Sequence, residues 1–186
     1  EELVSTLDLY PTFCDIAGAR IPGTLAGRSL KPLVHGKRPA WRQYLFTEFH
    51  VHSNHNPWPQ RTVRDARFKL IYNPVAGEEN PGYASTMGKK FFAAPEAELL
   101  AAATDQVRAA YALMKKPPLY ELYDLKADPF EFNNLADTPA HAATQARLVA
   151  ALTQWQVDTG DPLQSRAMAR RLFHLIRDAG TAQRRP

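Results

Sequence analysis

The segment at residues 117–136, PPLYELYDLKADPFEFNNLA, combines two prolines, alternating apolar and polar residues, an Asp-Pro pair and an Asn-Asn pair. Apolar and polar side chains alternate over residues 119–125, which predicts a strand that is partly covered on both faces. The two prolines before this strand cannot donate to a ladder or continue a helix, so they fix where it begins. The Asp-Pro pair at 128–129 and the Asn-Asn pair at 133–134 then predict a structured turn. These signals predict an architectural element, and nothing in them requires catalysis.

The remaining pattern predicts a mixture of strands and amphipathic helices. Strands are expected at 44–49, at 61–65 and 67–73 as a hairpin, and at 119–125. Helices are expected at 6–17, 96–114, 139–157 and 163–178, and a long loop at 77–90. The predicted fold class is therefore α+β, a small and mostly antiparallel sheet of about four strands packed against helices.

Composition bounds the class of protein. The chain has 186 residues, of which 45% are hydrophobic and 23% charged, and no apolar run is long enough for a membrane span. We therefore expect a globular chain with no membrane partner. The single cysteine, Cys14, excludes an internal disulfide and a multi-cysteine zinc site, and its place on a predicted apolar helix face predicts a buried structural thiol.

The positive charge is concentrated at one end of the chain. The formal net charge is +4, but residues 165–186 hold six arginines against one aspartate, so the rest of the chain is about neutral. A folded nucleic-acid-binding domain more often carries its charge on one face, so no nucleic-acid partner is expected. A docking helix, a contact in a homo-oligomer and disorder all remain open for the basic segment.

The densest cluster of polar side chains that could bind a ligand is EFHVHSNHNPWPQR, at residues 48–61. Two or three imidazoles with one carboxylate could bind zinc. Imidazole and guanidinium groups could equally bind a sulfate or carboxylate, with an indole ring for stacking, and a solvated loop is the third alternative. The spacing leaves all three open. The candidate residues are Glu48, His50, His52, His55, Trp58 and Arg61.

Sequence patterns of a complete active site are missing from this chain. It contains no Gly-x-Ser-x-Gly, no glycine-rich phosphate loop and no His-Glu-x-x-His. It also opens on Glu1 and runs directly into an apolar segment, which we interpret as a piece of something longer.

Three ordered segments resemble the C-terminal part of a sulfatase of the alkaline-phosphatase superfamily. They are LVSTLDLYPTFCDIAG with the following GRSLKPLV, then PQRTVRDARFKLIYN, and then ELYDLKADPFEFNNLA. The spacing of Glu48, His52, Pro59 and Arg61, and the later QWQVDTGDP, are similar to the heparan N-sulfatase (N-sulfoglucosamine sulfohydrolase) branch.

The resemblance implies a division of the chain into three parts. Residues 1–36 would be the end of the large sulfatase domain, residues 37–164 the C-terminal subdomain, and residues 165–186 a basic helical tail. The implied partners are a sulfated sugar and the N-terminal sulfatase domain, and a bacterial sulfatase would be expected in the periplasm or outside the cell.

The resemblance also implies an activity that this chain cannot perform alone. Sulfatases hydrolyse sulfate esters or N-sulfo groups with a formylglycine made in a Cys/Ser-x-Pro-x-Arg motif, and with a calcium ion held by Asp and Asn oxygens. Cys14 is followed by Asp-Ile-Ala, so it does not match that motif. Calcium and formylglycine are therefore expected in the longer enzyme, whereas no catalytic residue and no metal ligand is expected here.

Within the family pattern, the predicted contribution of this chain is substrate contact. Glu48, His52 and Arg61 match the family and would face the substrate end of the pocket, while the sequence around His50, His55 and Trp58 departs from the usual pattern. Two alternatives stay open: a non-catalytic module that binds carbohydrate or protein, and the closing subdomain of a related phosphodiesterase or phosphonate hydrolase.

Overall fold

The computed structural model describes residues 2–51, 57–87 and 95–182. The chain divides into two compact units, residues 1–45 and residues 46–186. In the first unit a 3-10 turn at Thr6–Asp8 leads into α1 (Leu9–Ile16), and a loop then leads to α2 (Lys31–Val34).

The first unit is organised around the buried carboxylate of Asp8. Its oxygens accept hydrogen bonds from the Arg42 guanidinium at 2.5 and 2.6 Å and from the backbone N–H of Arg28 at 2.9 Å. A side chain at Gly27 would place its Cβ 2.0 Å from the Leu7 carbonyl oxygen, so only glycine allows this approach. The GRSL element therefore lies directly on the start of α1.

The apolar side chains of α1 are exposed. Leu9, Phe13 and Ile16 are 44%, 62% and 66% exposed, and Tyr10 beside them is 57% exposed. Cys14 is half-buried, so the prediction of a buried thiol is wrong. The reason is that α1 presents Pro11 and Thr12 to its own unit and turns the predicted apolar face outward.

The second unit is built on a four-stranded antiparallel sheet of order β1-β2-β3-β4, which confirms the predicted fold class. The strands are β1 (Leu45–Val51), β2 (Pro57–Arg64), β3 (Phe68–Tyr72) and β4 (Tyr120–Asp124). The predicted hairpin is correct: Arg64 pairs with Lys69, and the Asp65 side chain accepts from the N–H groups of Arg67 and Phe68 in the turn. On the next pair, Leu70 lies opposite Leu122.

The core lies between this sheet and two long helices, α6 (Ala142–Thr159) and α7 (Arg166–Ala182). Val63, Leu70 and Leu122 of the sheet are fully buried, as is Leu148 of α6. The short 3-10 turn Pro139–His141 precedes α6, close to the predicted helix start.

The strand and turn at residues 117–136 finish one edge of the sheet, as predicted. The Asn134 side-chain oxygen accepts from the Leu122 N–H at 2.9 Å, and the Leu135 N–H donates to the Leu122 carbonyl at 2.8 Å. The segment thus satisfies backbone groups that an edge strand would otherwise expose. Asp124 accepts from Arg67 at 2.6 Å, which joins β4 to the hairpin turn.

Two predicted elements differ from the structure. The long loop contains helix α3 (Pro81–Met87), where the Asn80 side chain accepts from the Gly82 N–H at 2.9 Å. The single helix predicted at 96–114 is instead α4 (Glu96–Ala102) and α5 (Asp105–Lys115). The break follows from Thr104, whose backbone is extended and whose side chain accepts from Val107 at the start of α5.

Residues 166–182 of the basic segment form α7, which packs against the sheet of the second unit. The spacing of this helix predicts an apolar face of Met168, Leu172 and Ile176 opposite the arginines. In the structure, however, Met168 is 50% exposed and Leu172 37% exposed, whereas Ala169 and Phe173 are buried. The arginines explain the rotation, because they bind a neighbouring loop: Arg166 donates to the Pro74 carbonyl and Arg170 to the Ala76 carbonyl. Among the described residues, no helix combines the length and the apolar character that crossing a bilayer requires.

Candidate functional site

Two of the candidate residues, Glu48 and His50, lie together on the edge strand β1. They are two positions apart and therefore point to the same face of the strand. Their side chains are 53% and 45% exposed, and the Glu48 Oε2 atom lies 3.4 Å from the His50 Nε2 atom. The pair is open to solvent and offers a carboxylate beside an imidazole.

Arg61 lies beneath this pair on β2, and its side chain is only 1% exposed. Its Nη2 atom is 3.6 Å from the Glu48 carboxylate. Its Nη1 atom donates to the Phe49 carbonyl at 3.4 Å and to the Gln60 carbonyl at 2.9 Å. The structure therefore makes Arg61 a buried support for β1, and its burial does not fit the predicted direct contact with a sugar.

Asp161 is the main partner of Arg61, although the two residues are 100 positions apart. The Arg61 Nε and Nη2 atoms donate to the two carboxylate oxygens of Asp161 at 2.9 and 2.8 Å. Asp161 follows the left-handed Gly160 (φ +64°) at the end of α6, and it also accepts from Gln156 at 2.8 Å and from the Leu163 N–H at 3.0 Å. The carboxylate is thus held by four donor groups.

These donors explain the ionisation of Asp161. Burial alone raises the pKa of a carboxyl group, because it disfavours the charged form. Here the hydrogen bonds from Arg61, Gln156 and Leu163, with the positive charge of Arg61, outweigh burial and lower the pKa of Asp161 to about 2. The Arg61–Asp161 pair is therefore fully charged at neutral pH.

Trp58 does not fit its predicted role as a stacking face. Its side chain is 3% exposed and lies in a buried cluster with Val75, Leu163 and Ala169. Its ring meets Phe173 edge to face, with centroids 5.9 Å apart. The indole is occupied by core packing, so it has no open face for a ligand.

Two candidates, His52 and His55, lie outside the described residues. Their predicted roles therefore stay predictions, and so does the zinc alternative that depends on them. Within residues 2–51, 57–87 and 95–182, no group of three or more His, Cys, Asp or Glu side chains could hold a metal ion.

The low pKa of Asp161 predicts acid sensitivity of the second unit. A carboxyl group whose pKa is lower in the folded state than its ordinary unfolded value of about 3.9 stabilises the fold above that value, and this contribution is lost as the pH falls toward the folded pKa. We expect the urea concentration at the unfolding midpoint to decrease as the pH is lowered from about 5 toward 2. The variant Asp161→Asn should show a weaker dependence of this midpoint on pH. Asp158→Asn, at an exposed position of the same segment, should leave the slope as it is. An identical slope in both variants would contradict the assignment.

The fold is the α+β arrangement that the resemblance to the C-terminal part of a sulfatase implies. The comparisons agree, since residues 1–80 match the family model described as N-sulphoglucosamine sulphohydrolase, C-terminal. The chain is thus related to the C-terminal part of sulfatases, as the three sequence motifs predict.

Individual relatives span almost all of the chain. An ulvan-active sulfatase of Formosa agariphila is 30% identical over 176 residues, which is 87% of this chain and 30% of that protein. The human N-sulphoglucosamine sulphohydrolase is also 30% identical over 176 residues, covering 87% of this chain and 34% of the human protein.

Solved structures of sulfatases share the fold. A 2-O GAG sulfatase superposes with a TM-score of 0.58 at 27% identity, over 84% of this chain and 25% of that one. A second structure, in complex with its substrate D-glucosamine-2-N,6-O-disulfate, gives a TM-score of 0.56 at 25% identity over 85% of this chain and 25% of the other. The chain therefore spans between a quarter and about a third of the length of these relatives.

Proposed function

We propose that this chain is the C-terminal subdomain of a sulfatase that hydrolyses sulfate ester or N-sulfo groups of a sulfated sugar. Its contribution is to hold the sugar, and the bond-breaking groups lie in another part of the enzyme. The observation that carries this proposal is the exposed Glu48–His50 pair, supported from below by the buried Arg61–Asp161 pair, in a chain related to sulfatases.

The chemistry of the exposed pair suits a sulfated sugar. The Glu48 carboxylate accepts hydrogen bonds from sugar hydroxyl groups, and the His50 imidazole donates to a sulfate or carboxylate oxygen. His52, chosen from the sequence alone, is proposed to act beside them.

The proposed partner within the enzyme is the N-terminal sulfatase domain. The exposed apolar side chains of α1 support this, because a soluble surface rarely leaves four large apolar residues on one short helix uncovered. They are Leu9, Tyr10, Phe13 and Ile16. In this proposal that domain covers α1, and the enzyme acts in the periplasm or outside the cell.

Cys14 and the described residues of this chain do not fit the two groups on which sulfatase chemistry depends. Cys14 lacks the motif for formylglycine, and the described residues contain no cluster suited to a metal. We therefore assign formylglycine and calcium to the N-terminal domain, and no step of the reaction to this chain.

A related hydrolase of the same superfamily is the second candidate. A multifunctional alkaline phosphatase superfamily protein of Trinickia caryophylli is 30% identical over 162 residues, covering 87% of this chain and 26% of that protein. If the parent enzyme cleaves phosphate or phosphonate esters, the same subdomain would close its pocket. A binding module without catalysis is the third reading, and the sequence of the parent gene distinguishes it from both enzymes.

In the complete enzyme, Glu48→Gln and His52→Ala should impair use of the sulfated sugar far more than hydrolysis of a small aryl sulfate. A residue that holds the sugar contributes binding that an aryl ester never uses, so the loss appears in kcat/KM for the sugar. Losing one charge-assisted hydrogen bond costs about 1.5–3 kcal/mol, roughly ten- to a hundredfold.

The kinetic experiment compares each variant on both substrates, with Glu98→Gln on the exposed face of α4 as the matched control. The control should keep the kcat/KM of the unaltered enzyme on both substrates. Equal losses of kcat/KM on the sugar and the aryl ester would indicate that Glu48 and His52 have a structural or catalytic role. No loss on either substrate would show that neither residue contacts the sugar.

A further inference from the structure

The segment QWQVDTGDP, residues 154–162, joins the end of α6 to the edge strand β1 by two separate contacts. At the first contact the Trp155 ring stacks on Phe46 of β1, with centroids 5.3 Å apart and planes 8° from parallel. Such stacking holds the beginning of the strand against α6.

The second contact runs through Asp161 and Arg61 to the middle of β1. Asp161 binds the Arg61 guanidinium in a two-pronged arrangement at 2.8 and 2.9 Å. This leaves Nη1 of Arg61 to donate to the Phe49 carbonyl, which lies between Glu48 and His50 in the sequence. The backbone that carries both exposed side chains is thus tied to the buried ion pair.

The charges explain why Asp161 matters to Glu48. With Asp161 present, the positive charge of Arg61 is already paired, and Glu48 stays at 3.6 Å, beyond the usual length of a charge-assisted hydrogen bond. The Glu48 carboxylate therefore keeps its capacity to accept hydrogen bonds from a ligand. Without Asp161, Glu48 would be the nearest remaining carboxylate for a buried guanidinium, and it would be drawn inward.

We infer that Asp161 is a positioning residue for the sugar: through Arg61 it keeps Glu48 on the surface of β1 with its oxygens directed to the ligand. This role rests on the proposed function, because it assumes that Glu48 meets the sugar. It assigns to the QWQVDTGDP segment a part in specificity that is separate from its contribution to stability.

The test is a double-mutant cycle in the complete enzyme, with Asp161→Asn, Glu48→Gln and the two together. The measurement is kcat/KM on a sulfated disaccharide and on an aryl sulfate. We expect each single change to lower the ratio of sugar to aryl activity about tenfold or more. The double variant should be no worse than the more impaired single variant, because both changes remove the same contact. Asp158→Asn, which removes an exposed carboxylate of the same segment, should leave both activities unaltered.

The outcomes separate the inference from the proposed function. If Glu48→Gln leaves the ratio unchanged, the proposed sugar contact fails. If Glu48→Gln lowers the ratio but Asp161→Asn does not, or if the two losses multiply, the positioning role fails while the sugar contact stands. Equal loss on both substrates in Asp161→Asn would make Asp161 purely structural.

A second variant keeps the inference testable if Asp161→Asn does not fold. Gln156→Leu is close to the original side chain in size, leaves the Arg61–Asp161 pair in place and removes one donor from Asp161. It should lower the same activity ratio by a smaller factor and speed the amide hydrogen exchange of residues 47–50 relative to β3. An unchanged ratio and unchanged exchange would overturn the positioning role.

Discussion

Replacing Asp161 by alanine should lower the free energy of unfolding by about 3–5 kcal/mol, the usual cost of breaking a buried ion pair by removing one partner. Arg61 has 1% of its side chain exposed, so its charge cannot reach water when the carboxylate is gone. Gln156 and the Leu163 N–H would lose their acceptor at the same time. The loss of Asp161 therefore leaves several buried donors without their acceptor at once.

Urea unfolding followed by circular dichroism measures this loss. Asp158→Ala is the matched control, because it removes the same type of side chain from an exposed position three residues earlier. The control should change stability by no more than about 0.5 kcal/mol, as surface substitutions usually do. Equal midpoints for Asp161→Ala and the unaltered chain would show that the buried pair does not form.

Leu122→Ala should cost about 2–5 kcal/mol, the range for deleting most of a buried leucine side chain. Leu122 is fully buried in β4, opposite the equally buried Leu70 of β3. Its backbone also carries the contacts from Asn134 and Leu135 that finish the sheet edge, so the site cannot easily collapse around a cavity.

The control for this change is Leu175→Ala on α7, where the leucine is 60% exposed. There the free energy of unfolding should stay within about 0.5 kcal/mol of the original value. If both leucines gave the same small effect, the Leu122 side chain would not be part of the core.

Local signals predicted the elements in which neighbouring residues determine the conformation. The alternation before Asp128-Pro129 and the hairpin at Asp65 depend on turn chemistry within a few positions, and both are confirmed. The break at Thr104 was missed because the apolar spacing of residues 100–114 continues across it. A threonine in an extended conformation can cap the next helix without disturbing that spacing.

Contacts between segments that are distant in the sequence could not be predicted from local patterns. Arg61 matched a family pattern, but its partner lies 100 positions away, so the sequence did not show that the guanidinium is buried. Trp58 was assigned to a ligand on its chemistry, whereas Phe173, far along the chain, covers its ring. The segment QWQVDTGDP contains a sequence signal for the partner of Arg61. There an aspartate follows Asp-Thr-Gly at the end of a predicted helix, which indicates a structural role for its carboxylate.

The orientation of α7 also depends on contacts with distant residues that the local sequence pattern does not show. The predicted apolar face of Met168, Leu172 and Ile176 lies opposite the arginines. In the structure Arg166 and Arg170 instead bind carbonyl groups of residues 74 and 76, which turns Phe173 inward and Met168 outward. A helix whose basic side chains have carbonyl partners can orient against its apolar pattern.

We propose that this chain holds substrate but does not perform the chemistry, and turnover assays of the purified 186-residue chain with calcium test this proposal. The substrates are an aryl sulfate and glucosamine N-sulfate, with the complete enzyme as the positive control. We expect no release of sulfate by the chain alone and full activity in the complete enzyme. Calcium-dependent turnover by the isolated chain would contradict it.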